Sequence, residues 1–382
     1  MVRIGLIGLG NIGRLHAEYL RGGEIDGCKL VAVADASEDL LAPYQDLHCF
    51  SDSEEMLNSD LLDAVLVATP SFLHYPLGKA ALKQGVHVLM EKPLATHKAD
   101  AERLLDLCGS DQVFALMMNL RADPIFARMK AIMTDQSLGE VRRVSWTMTD
   151  WFRPEVYFAS SEWRATWRGE GGGVLMNQCP HNLDILQWLC GMPVRMYAQC
   201  AFGKHHDIEV EDEVVAQFNF ENGAIGSFVA STGEAPGVNR LEIACDQGLM
   251  ILENGELRLT RYNVSVSEFS RTTDEMFGTP EADSEIFKRA DEKPVNPHAR
   301  ITQNFVDAIL KGEALISPAS DGVGSLELAG AMLYSSWQGE AVDLPLDAAA
   351  YEAELGRRVA QSKPREVTRQ AAKVDMSKSF SK

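Results

Sequence analysis

Residues 2–15 read VRIGLIGLGNIGRL, an apolar stretch with glycines at positions 8, 10 and 13. Its apolar start is typical of a buried strand, and the residues from 11 onwards have the spacing of a helix. In such a turn the first glycine permits the tight bend, the second lets the backbone approach a pyrophosphate, and the third lets helix pack on strand. The helix start also offers free N–H groups to phosphates. GLGNIG thus predicts a dinucleotide-binding turn, although bare matches also occur in ordinary tight turns.

Short apolar strand patterns continue to alternate with helical patterns through the first 120 residues. They are KLVAVAD (29–35), AVLVATP (64–70) and HVLMEKP (87–93). Strands without a polar face that alternate with helices predict a parallel sheet covered on both sides. We therefore expect a doubly wound, Rossmann-type α/β domain over residues 1–122.

Asp35 ends the second of these strand patterns, and the residues that follow it, ASEDL, contain no arginine. A carboxylate in this place accepts hydrogen bonds from ribose hydroxyls and repels a 2′-phosphate, which favours NAD over NADP. The alternative interpretation is that Asp35 caps a helix or a turn.

Beyond residue 125 the apolar residues alternate with a period of two. Residues 213–231 and 240–262 contain strand pairs joined by Asn-Gly or other glycine turns, which is typical of antiparallel hairpins. We expect a C-terminal α/β domain with a large open, mostly antiparallel sheet over residues 123–363. Residues 364–382 have few large apolar side chains and are predicted to form a tail that is either mobile or reaches a partner subunit.

The composition excludes several classes of partner. The chain has 382 residues, 36 basic and 55 acidic, with a formal net charge of −19, which disfavours nucleic acid and anionic membrane surfaces. No apolar run is long enough to span a bilayer, and the N-terminus lacks the basic leader of a secretory signal. The seven cysteines are scattered without a CxxC pair, which indicates reduced thiols and no zinc ribbon. We expect a cytoplasmic protein.

Two segments carry candidate catalytic groups. Lys92 follows the apolar run VHVLM, so it is predicted at the carboxyl end of a parallel strand, the edge where ligands bind. If a helix follows the glycines in GEGGGVLMNQCPHNLD (169–184), then Asn177, His181 and Asp184 share one of its faces. A His-x-x-Asp pair also binds metals, but we expect no metal because no further ligand is evident. The other alternative is a hydrogen-bonded core histidine.

These pieces together resemble the glucose-fructose oxidoreductase, inositol dehydrogenase and rhizopine-catabolism (Gfo/Idh/MocA) family over nearly the whole chain. The most specific motifs are GLGNIG, ATPSFLH (68–74), EKPLA (91–95) and GGGVLMNQCPHNLDILQWL (171–189). The resemblance implies NAD bound between the EKP segment and the histidine helix, and a Lys-Pro bond that is often cis. It also implies a homodimer or homotetramer formed through the open sheet.

The resemblance makes Lys92 the catalytic lysine and His181 the catalytic histidine, with Asp184 beside the substrate or the histidine. Inositol dehydrogenases of this family carry an aspartate four residues before the histidine, where this chain has Asn177, an amide that can orient the imidazole or a substrate hydroxyl. The residues expected at the cofactor, from the glycine turn and the resemblance together, are Gly8, Gly10, Asn11, Ile12, Gly13, Asp35, Thr69, Pro70, His74, Glu91, Lys92, Asn119, Arg121, Trp163 and Arg164.

The expected reaction is the reversible oxidation of a secondary hydroxyl of a sugar, polyol, cyclitol or glycoside by hydride transfer to NAD. His181 would be the general base, and Lys92 would stabilise charge on the reacting oxygen. Two alternatives stay open: a redox-neutral enzyme with tightly bound NAD, and a non-catalytic sugar- or nucleotide-binding protein. Nearby aromatic side chains either stack on the substrate or belong to the core; these are Trp151, Phe152, Tyr157, Trp163 and Trp167.

Overall fold

The structure is a computed structural model that describes residues 1–363 and 365–367. Across these residues the strands form two sheets, one of six strands and one of nine. The predicted tail, residues 364–382, lies outside the described residues except for 365–367.

The first sheet is parallel throughout, with the strand order β3-β2-β1-β4-β5-β6. Its strands are β1 (Val2–Ile7), β2 (Cys28–Ala34), β3 (His48–Phe50), β4 (Ala64–Val67), β5 (His87–Met90) and β6 (Phe114–Leu116). The order reverses between β1 and β4, which opens a crevice at their carboxyl ends where ligands of such sheets bind. The predicted doubly wound domain is confirmed.

The helices around this sheet alternate with its strands. They are α1 (Asn11–Arg21), α2 (Glu38–Leu41), α3 (Ser53–Leu57), α4 (His74–Lys83) and α5 (Lys98–Leu107), followed by α6 (Pro124–Thr134). Side chains cap several of them: the Asp52 carboxylate accepts from Glu54 N at the start of α3, and Asp123 accepts from Ile125 N and Phe126 N at the start of α6. Such caps satisfy N–H groups that have no partner within the helix.

The second sheet has the order β14-β13-β12-β11-β7-β10-β9-β8-β15. Its strands are β7 (Val141–Met148), β8 (Arg195–Phe202), β9 (Glu211–Asn219), β10 (Ile225–Ser231), β11 (Asn239–Cys245), β12 (Gly248–Glu253), β13 (Glu256–Tyr262), β14 (Ala282–Lys288) and β15 (Val342–Asp343). The β7–β10 pair is parallel and the neighbouring pairs are antiparallel, so the predicted mostly antiparallel sheet is confirmed. Asn254 and Gly255 both have positive φ, 52° and 74°, as a two-residue hairpin turn requires.

The second half of the chain also contains eight helices within the described residues, of which α13 packs on β8 and α9 on β9. They are α7 (Glu155–Phe158), α8 (Trp167–Glu170), α9 (Val174–Asn177), α10 (Pro180–Cys190), α11 (Val266–Thr272), α12 (Pro297–Lys311), α13 (Gly322–Gln338) and α14 (Ala348–Gln361). The expectation of one helix carrying Asn177, His181 and Asp184 is wrong. Instead, α9 ends at Asn177 and α10 begins at Pro180, because proline has no N–H with which to continue a helix.

Helix α12 returns to the N-terminal half of the molecule. Ile301, Phe305 and Val306 on this helix are buried in one core cluster with Ile4 and Leu6 of β1. This packing brings the start of α12 to the carboxyl edge of the parallel sheet, although α12 lies far along the chain. The predicted division into residues 1–122 and 123–363 stays a prediction.

Candidate active site

The glycine turn has the shape that each glycine was expected to permit. Gly8 has φ +91°, and a Cβ on it would lie 2.6 Å from the carbonyl oxygen of Ala68. A Cβ on Gly13 would lie 1.9 Å from the carbonyl oxygen of Gly8, so helix α1 approaches β1 too closely for a side chain there. A Cβ on Gly10, just before Asn11 and Ile12, would meet no described atom within 4 Å. The turn is therefore tightly packed against backbone at Gly8 and Gly13, and it leaves open space beside Gly10 at the N-terminus of α1.

Asp35 braces this turn. Its Oδ2 accepts a hydrogen bond from Leu9 N at 2.7 Å, and its Oδ1 accepts from Ser37 N at 2.9 Å. The turn-capping alternative is therefore present in the structure. Asp35 is half-buried, and each carboxylate oxygen has a second lone pair. Its contact with a ribose stays a prediction.

His74 lies beneath the site and not on its surface. Its ring is buried between two backbone carbonyls, with Nδ1 at 2.6 Å from Pro93 O and Nε2 at 2.9 Å from Thr69 O. Burial lowers the pKa of His74, and the two carbonyls oppose that shift. His74 thus ties the Thr69-Pro70 turn to the EKP segment from below.

Lys92 follows the last residue of β5, at the predicted sheet edge, and the Lys92–Pro93 peptide bond is cis. Its Nζ donates a hydrogen bond to the backbone carbonyl of Asn177 at 2.8 Å. Burial lowers the pKa of Lys92, while the negative charges of Glu91 and Glu170 oppose the shift. The Lys92 side chain therefore connects the edge of the parallel sheet to the end of α9, which follows the glycine-rich segment.

His181 lies in the first turn of α10 and faces the same region. Burial, with the positive charge of Lys92, lowers the pKa of His181 to about 3. The imidazole is therefore neutral at neutral pH and can accept a proton. Lys92 Nζ contacts the carbonyl of Asn177, four residues before His181, and its charge contributes to this shift, so the two predicted catalytic residues lie in the same region.

Asn177 does not present its side chain to His181. Its Oδ1 accepts from Tyr157 Oη at 3.1 Å, and its Nδ2 donates to the carboxylate of Glu170. The backbone carbonyl of Asn177, and not its amide, contacts Lys92. The amide's predicted role in orienting the imidazole or a substrate hydroxyl stays a prediction.

Arg121 and Asp184 contact each other and not the crevice. Arg121 Nε and Nη2 donate to the two carboxylate oxygens of Asp184 at 2.7 and 2.6 Å, and both side chains are 1% exposed. Arg121 Nη1 also donates to Asp321 at 2.6 Å. Within the described residues these two side chains bind each other; the predicted contacts of Asp184 with the substrate or the histidine, and of Arg121 with the cofactor, stay predictions.

Trp163 and Arg164 form a stack with Tyr157. The Arg164 guanidinium lies 4.7 Å from the centre of the Trp163 ring and 4.3 Å from that of Tyr157, and Nη1 donates to Tyr157 Oη at 2.5 Å. Trp167, by contrast, is buried in the core against Trp337. Of these aromatic residues, Trp167 belongs to the core, whereas Tyr157 and Trp163 pack against Arg164.

Sequence reasoning missed a buried network behind the EKP segment. His16 Nε2 lies 2.8 Å from Glu91 Oε1, the His298 ring lies edge-on to His16, and Asn119 Nδ2 lies 3.1 Å from a ring nitrogen of His298. Although burial opposes it, the hydrogen bond from His16 helps lower the pKa of Glu91 to about 2. Burial lowers the pKa of His298 to about 4. No local spacing signals a network between α1, β5 and α12.

Polar atoms left without partners suit a bound cofactor. Thr69 Oγ1, Asn119 Oδ1 and His181 Nδ1 are buried and have no hydrogen-bond partner among the described residues. Buried polar atoms are normally satisfied, so these three fit a site that a polar ligand completes. Together with the open space at Gly10, they match the residues expected at NAD.

His97, Asp100 and Glu352 come together elsewhere in the molecule, with ligand atoms within 4.8 Å of one another. Arg103 donates to Asp100 at 2.7 Å and to Glu352 at 2.8 Å, so this cluster already has a cation. Within residues 1–363 and 365–367, no helix is long and apolar enough to cross a membrane.

Comparison with known families agrees with these observations in both halves of the chain. The family model described as "Oxidoreductase family, NAD-binding Rossmann fold" matches residues 2–119. The model described as "GFO/IDH/MocA C-terminal domain" matches residues 126–251. Together they cover more than half of the chain, and residues 2–119 form an NAD-binding Rossmann domain.

Individual relatives are distant. The uncharacterized oxidoreductase YdgJ of Escherichia coli is 32% identical over 52% of this chain and 57% of its own length. The myo-inositol 2-dehydrogenase of Thermotoga maritima is 27% identical over 66% of this chain and 75% of its own. Among solved structures, the WlbA dehydrogenase from Bordetella pertussis, in complex with NADH and UDP-GlcNAcA, is similar with a TM-score of 0.75. It is 26% identical, over 91% of this chain and 99% of that protein.

Proposed function

Because this chain belongs to the GFO/IDH/MocA family of NAD-binding oxidoreductases, we propose that it oxidises a secondary hydroxyl of a sugar, cyclitol or glycoside. The convergence of Lys92 and His181, from the two halves of the chain, carries this proposal. Relatives named as an inositol dehydrogenase and as a dehydrogenase bound to a nucleotide sugar support a polyhydroxylated substrate.

NAD, when bound, supplies the hydride acceptor. The open glycine turn at Gly10 would hold its pyrophosphate, and Asp35 would face the adenosine ribose, which favours NAD over NADP. Thr69 and Asn119 would satisfy their buried polar atoms against it.

Side chains of the protein accept the proton of the substrate hydroxyl and stabilise the charge that its loss creates. His181 is held neutral by burial, so a lone pair on its ring is free to accept that proton. The Lys92 ammonium donates a hydrogen bond to the same oxygen and stabilises the negative charge that develops as the proton leaves. Expulsion of water from the buried site strengthens both interactions.

The proposal is tested with Lys92→Ala and His181→Ala. We expect kcat/KM with NAD⁺ and the best substrate of a polyol, aldose and glycoside panel to fall by roughly 10²–10⁴-fold in each variant. NADH binding, followed by fluorescence, is expected to stay near the wild-type value. Lys204→Ala and His205→Ala, which alter partly exposed side chains of an ion pair with Glu213, serve as matched controls.

The outcome also separates the alternatives. A dehydrogenase accumulates NADH during turnover, whereas a redox-neutral enzyme with tightly bound NAD forms product without it. A binding protein shows saturable sugar binding and no product with any member of the panel. Near-wild-type turnover in either alanine variant contradicts the assignment. The predicted homodimer or homotetramer stays a prediction.

A further inference from the structure

Two buried carboxyl groups lie behind Lys92, and the proposed proton transfer uses neither of them. Glu170, at the end of α8, is 3% exposed, and Glu211, at the start of β9, is 0% exposed. Both line one small cavity together with Tyr157, Gly173 and Asn177. Burying a carboxyl group costs free energy unless hydrogen bonds replace its contacts with water. The hydrogen-bond partners of Glu170 and Glu211 therefore indicate what each carboxyl group does.

Glu170 holds the end of α9. Its Oε1 accepts a hydrogen bond from the side chain of Asn177, and its Oε2 accepts from Ala165 N at 2.5 Å. Tyr157 Oη donates to the other end of the Asn177 amide at 3.1 Å. The Asn177 side chain is therefore fixed from two directions.

Glu211 holds the start of the same helix. Its Oε1 accepts from Gly173 N at 2.8 Å and from Leu175 N at 3.0 Å. A Cβ on Gly173 would lie 2.0 Å from the backbone carbonyl oxygen of Glu211, so the glycine lets the two backbones meet. The other carboxyl oxygen of Glu211 has no hydrogen-bond partner within the part of the chain that the structure describes.

Helix α9 is a single turn of four residues, which is too short to be stable by itself. Its last carbonyl, that of Asn177, accepts the hydrogen bond from Lys92 Nζ at 2.8 Å. The direction of this carbonyl therefore depends on the two carboxyl groups that hold the turn.

We propose that Glu170 and Glu211 are positioning residues for Lys92, because they fix the two ends of α9 and so aim the Asn177 carbonyl at Lys92 Nζ, which holds the ammonium towards the reacting oxygen. The inference rests on the proposed function of Lys92. Glu170 acts by its charge as well, since its carboxylate is one of the groups that favour the ammonium form of Lys92.

The charged groups around these side chains determine the expected pH dependence. Lys92 faces the charged groups of Glu91, Glu170, Arg164 and Arg153, and it also interacts with the titratable groups of His74, Cys179 and His181. Glu170 also faces Arg164, and the groups around Glu211 are Glu170, Cys179, Cys200 and Tyr351. Burial and the positive charges of Arg164 and Arg153 lower the pKa of Lys92, and the charge of Glu170 opposes them. Without that charge the pKa of Lys92 falls further, so the lysine loses its proton at a lower pH than in the wild type.

The first experiment compares Glu170→Gln with Glu211→Leu, which removes the acceptor of the Gly173 and Leu175 N–H groups. We expect kcat to fall by about 10- to 100-fold in each, because a displacement of about 1 Å has that effect, while NADH affinity is unchanged. The alkaline limb of the kcat/KM profile is expected to move to lower pH in Glu170→Gln. Glu327→Gln, a buried carboxylate that pairs with Lys98 away from α9, is the matched control for burial.

A second pair of variants keeps the inference testable through Glu170 if Glu211→Leu does not fold. Asn177→Asp sets two carboxylates against each other and is expected to lower kcat. Adding Glu170→Gln restores an amide facing a carboxylate and is expected to recover most of that loss.

The results separate this inference from the proposed function. If Lys92→Ala keeps its activity, the proposed function fails. If Lys92→Ala is inactive while Glu170→Gln keeps the wild-type kcat and pH profile, the positioning role is overturned and the function stands. A double variant no better than Asn177→Asp also overturns it.

Discussion

Lys92 and His181 are both partly buried, and His181 is neutral, the form in which an imidazole accepts a proton. Burial and the charge of Lys92 both act against the imidazolium form, which is why the pKa of His181 falls to about 3. The sequence predicts both residues as a catalytic pair but not their environment. The identity of a side chain is local information, whereas its loss of water depends on the residues that pack around it.

Glu211 provides a test of burial at the residue scale. Burial raises the pKa of Glu211 to about 7, although hydrogen bonds from three backbone N–H groups, those of Glu211 itself, Leu175 and Gly173, oppose the shift. An unfolded glutamate ionises near 4.5, so between pH 4.5 and 7 the unfolded chain releases a proton that the folded protein keeps. The free energy of unfolding therefore falls as pH rises through this window.

We expect Glu211→Gln to remove this dependence, which amounts to at most about 1.4 kcal/mol per pH unit. Chemical denaturation of both proteins below, within and above the window measures it. Parallel pH curves for the wild type and the variant would show that Glu211 has an ordinary pKa.

At the scale of the element, the glycine turn shows two different uses of one residue type. Gly13 is required by the packing of α1 on β1, since a Cβ there would lie 1.9 Å from a backbone oxygen. Gly10 has φ −62° and open space around its Cβ position, so the protein alone does not require it. The difference indicates that Gly10 is kept for a ligand.

Gly13→Ala and Gly10→Ala separate these uses. We expect Gly13→Ala to lower the melting temperature and to lose NADH binding, because the helix must move. Gly10→Ala is expected to melt like the wild type and still bind NADH more weakly, because its methyl group occupies the place predicted for the pyrophosphate. A Gly10→Ala protein with wild-type NADH affinity would place the pyrophosphate elsewhere.

The break between α9 and α10 also belongs to this scale. Pro180 starts a new helix, so Asn177 and His181 do not share a helix face as the spacing predicts. The consequence is functional, because the end of α9 leaves the Asn177 carbonyl free to accept Lys92. A continuous helix would use that carbonyl within itself.

At the scale of the molecule, the Arg121–Asp184 ion pair joins the two halves. Arg121 follows the last strand of the parallel sheet, and Asp184 lies one turn after His181 on α10. Asp321, before α13, contacts the same guanidinium. The pair therefore sets the position of His181 relative to the dinucleotide-binding domain, without touching the crevice.

Asp184→Ala is expected to lower the free energy of unfolding by about 3 kcal/mol, because Arg121 loses its buried partner. The double variant Arg121→Met/Asp184→Leu is expected to regain much of it, since an apolar pair leaves no buried charge. Asp343→Ala, which breaks the exposed pair with Arg195, is the control and should cost about 1 kcal/mol or less. Equal losses in the buried and exposed pairs, measured by chemical denaturation, would refute this account.

The sequence by itself determined the parallel sheet, the glycine turn, the Asn-Gly hairpins and the place of Lys92 at a strand end. These features follow from periodicity and turn chemistry, which act between residues close together in the chain. Only the tertiary structure decided that Asp184 binds Arg121, that the Asn177 carbonyl accepts a hydrogen bond from Lys92, and that Glu170 and Glu211 bind the two ends of α9. Hydrogen bonds and loss of water depend on partners that are distant in sequence, and no local pattern specifies them.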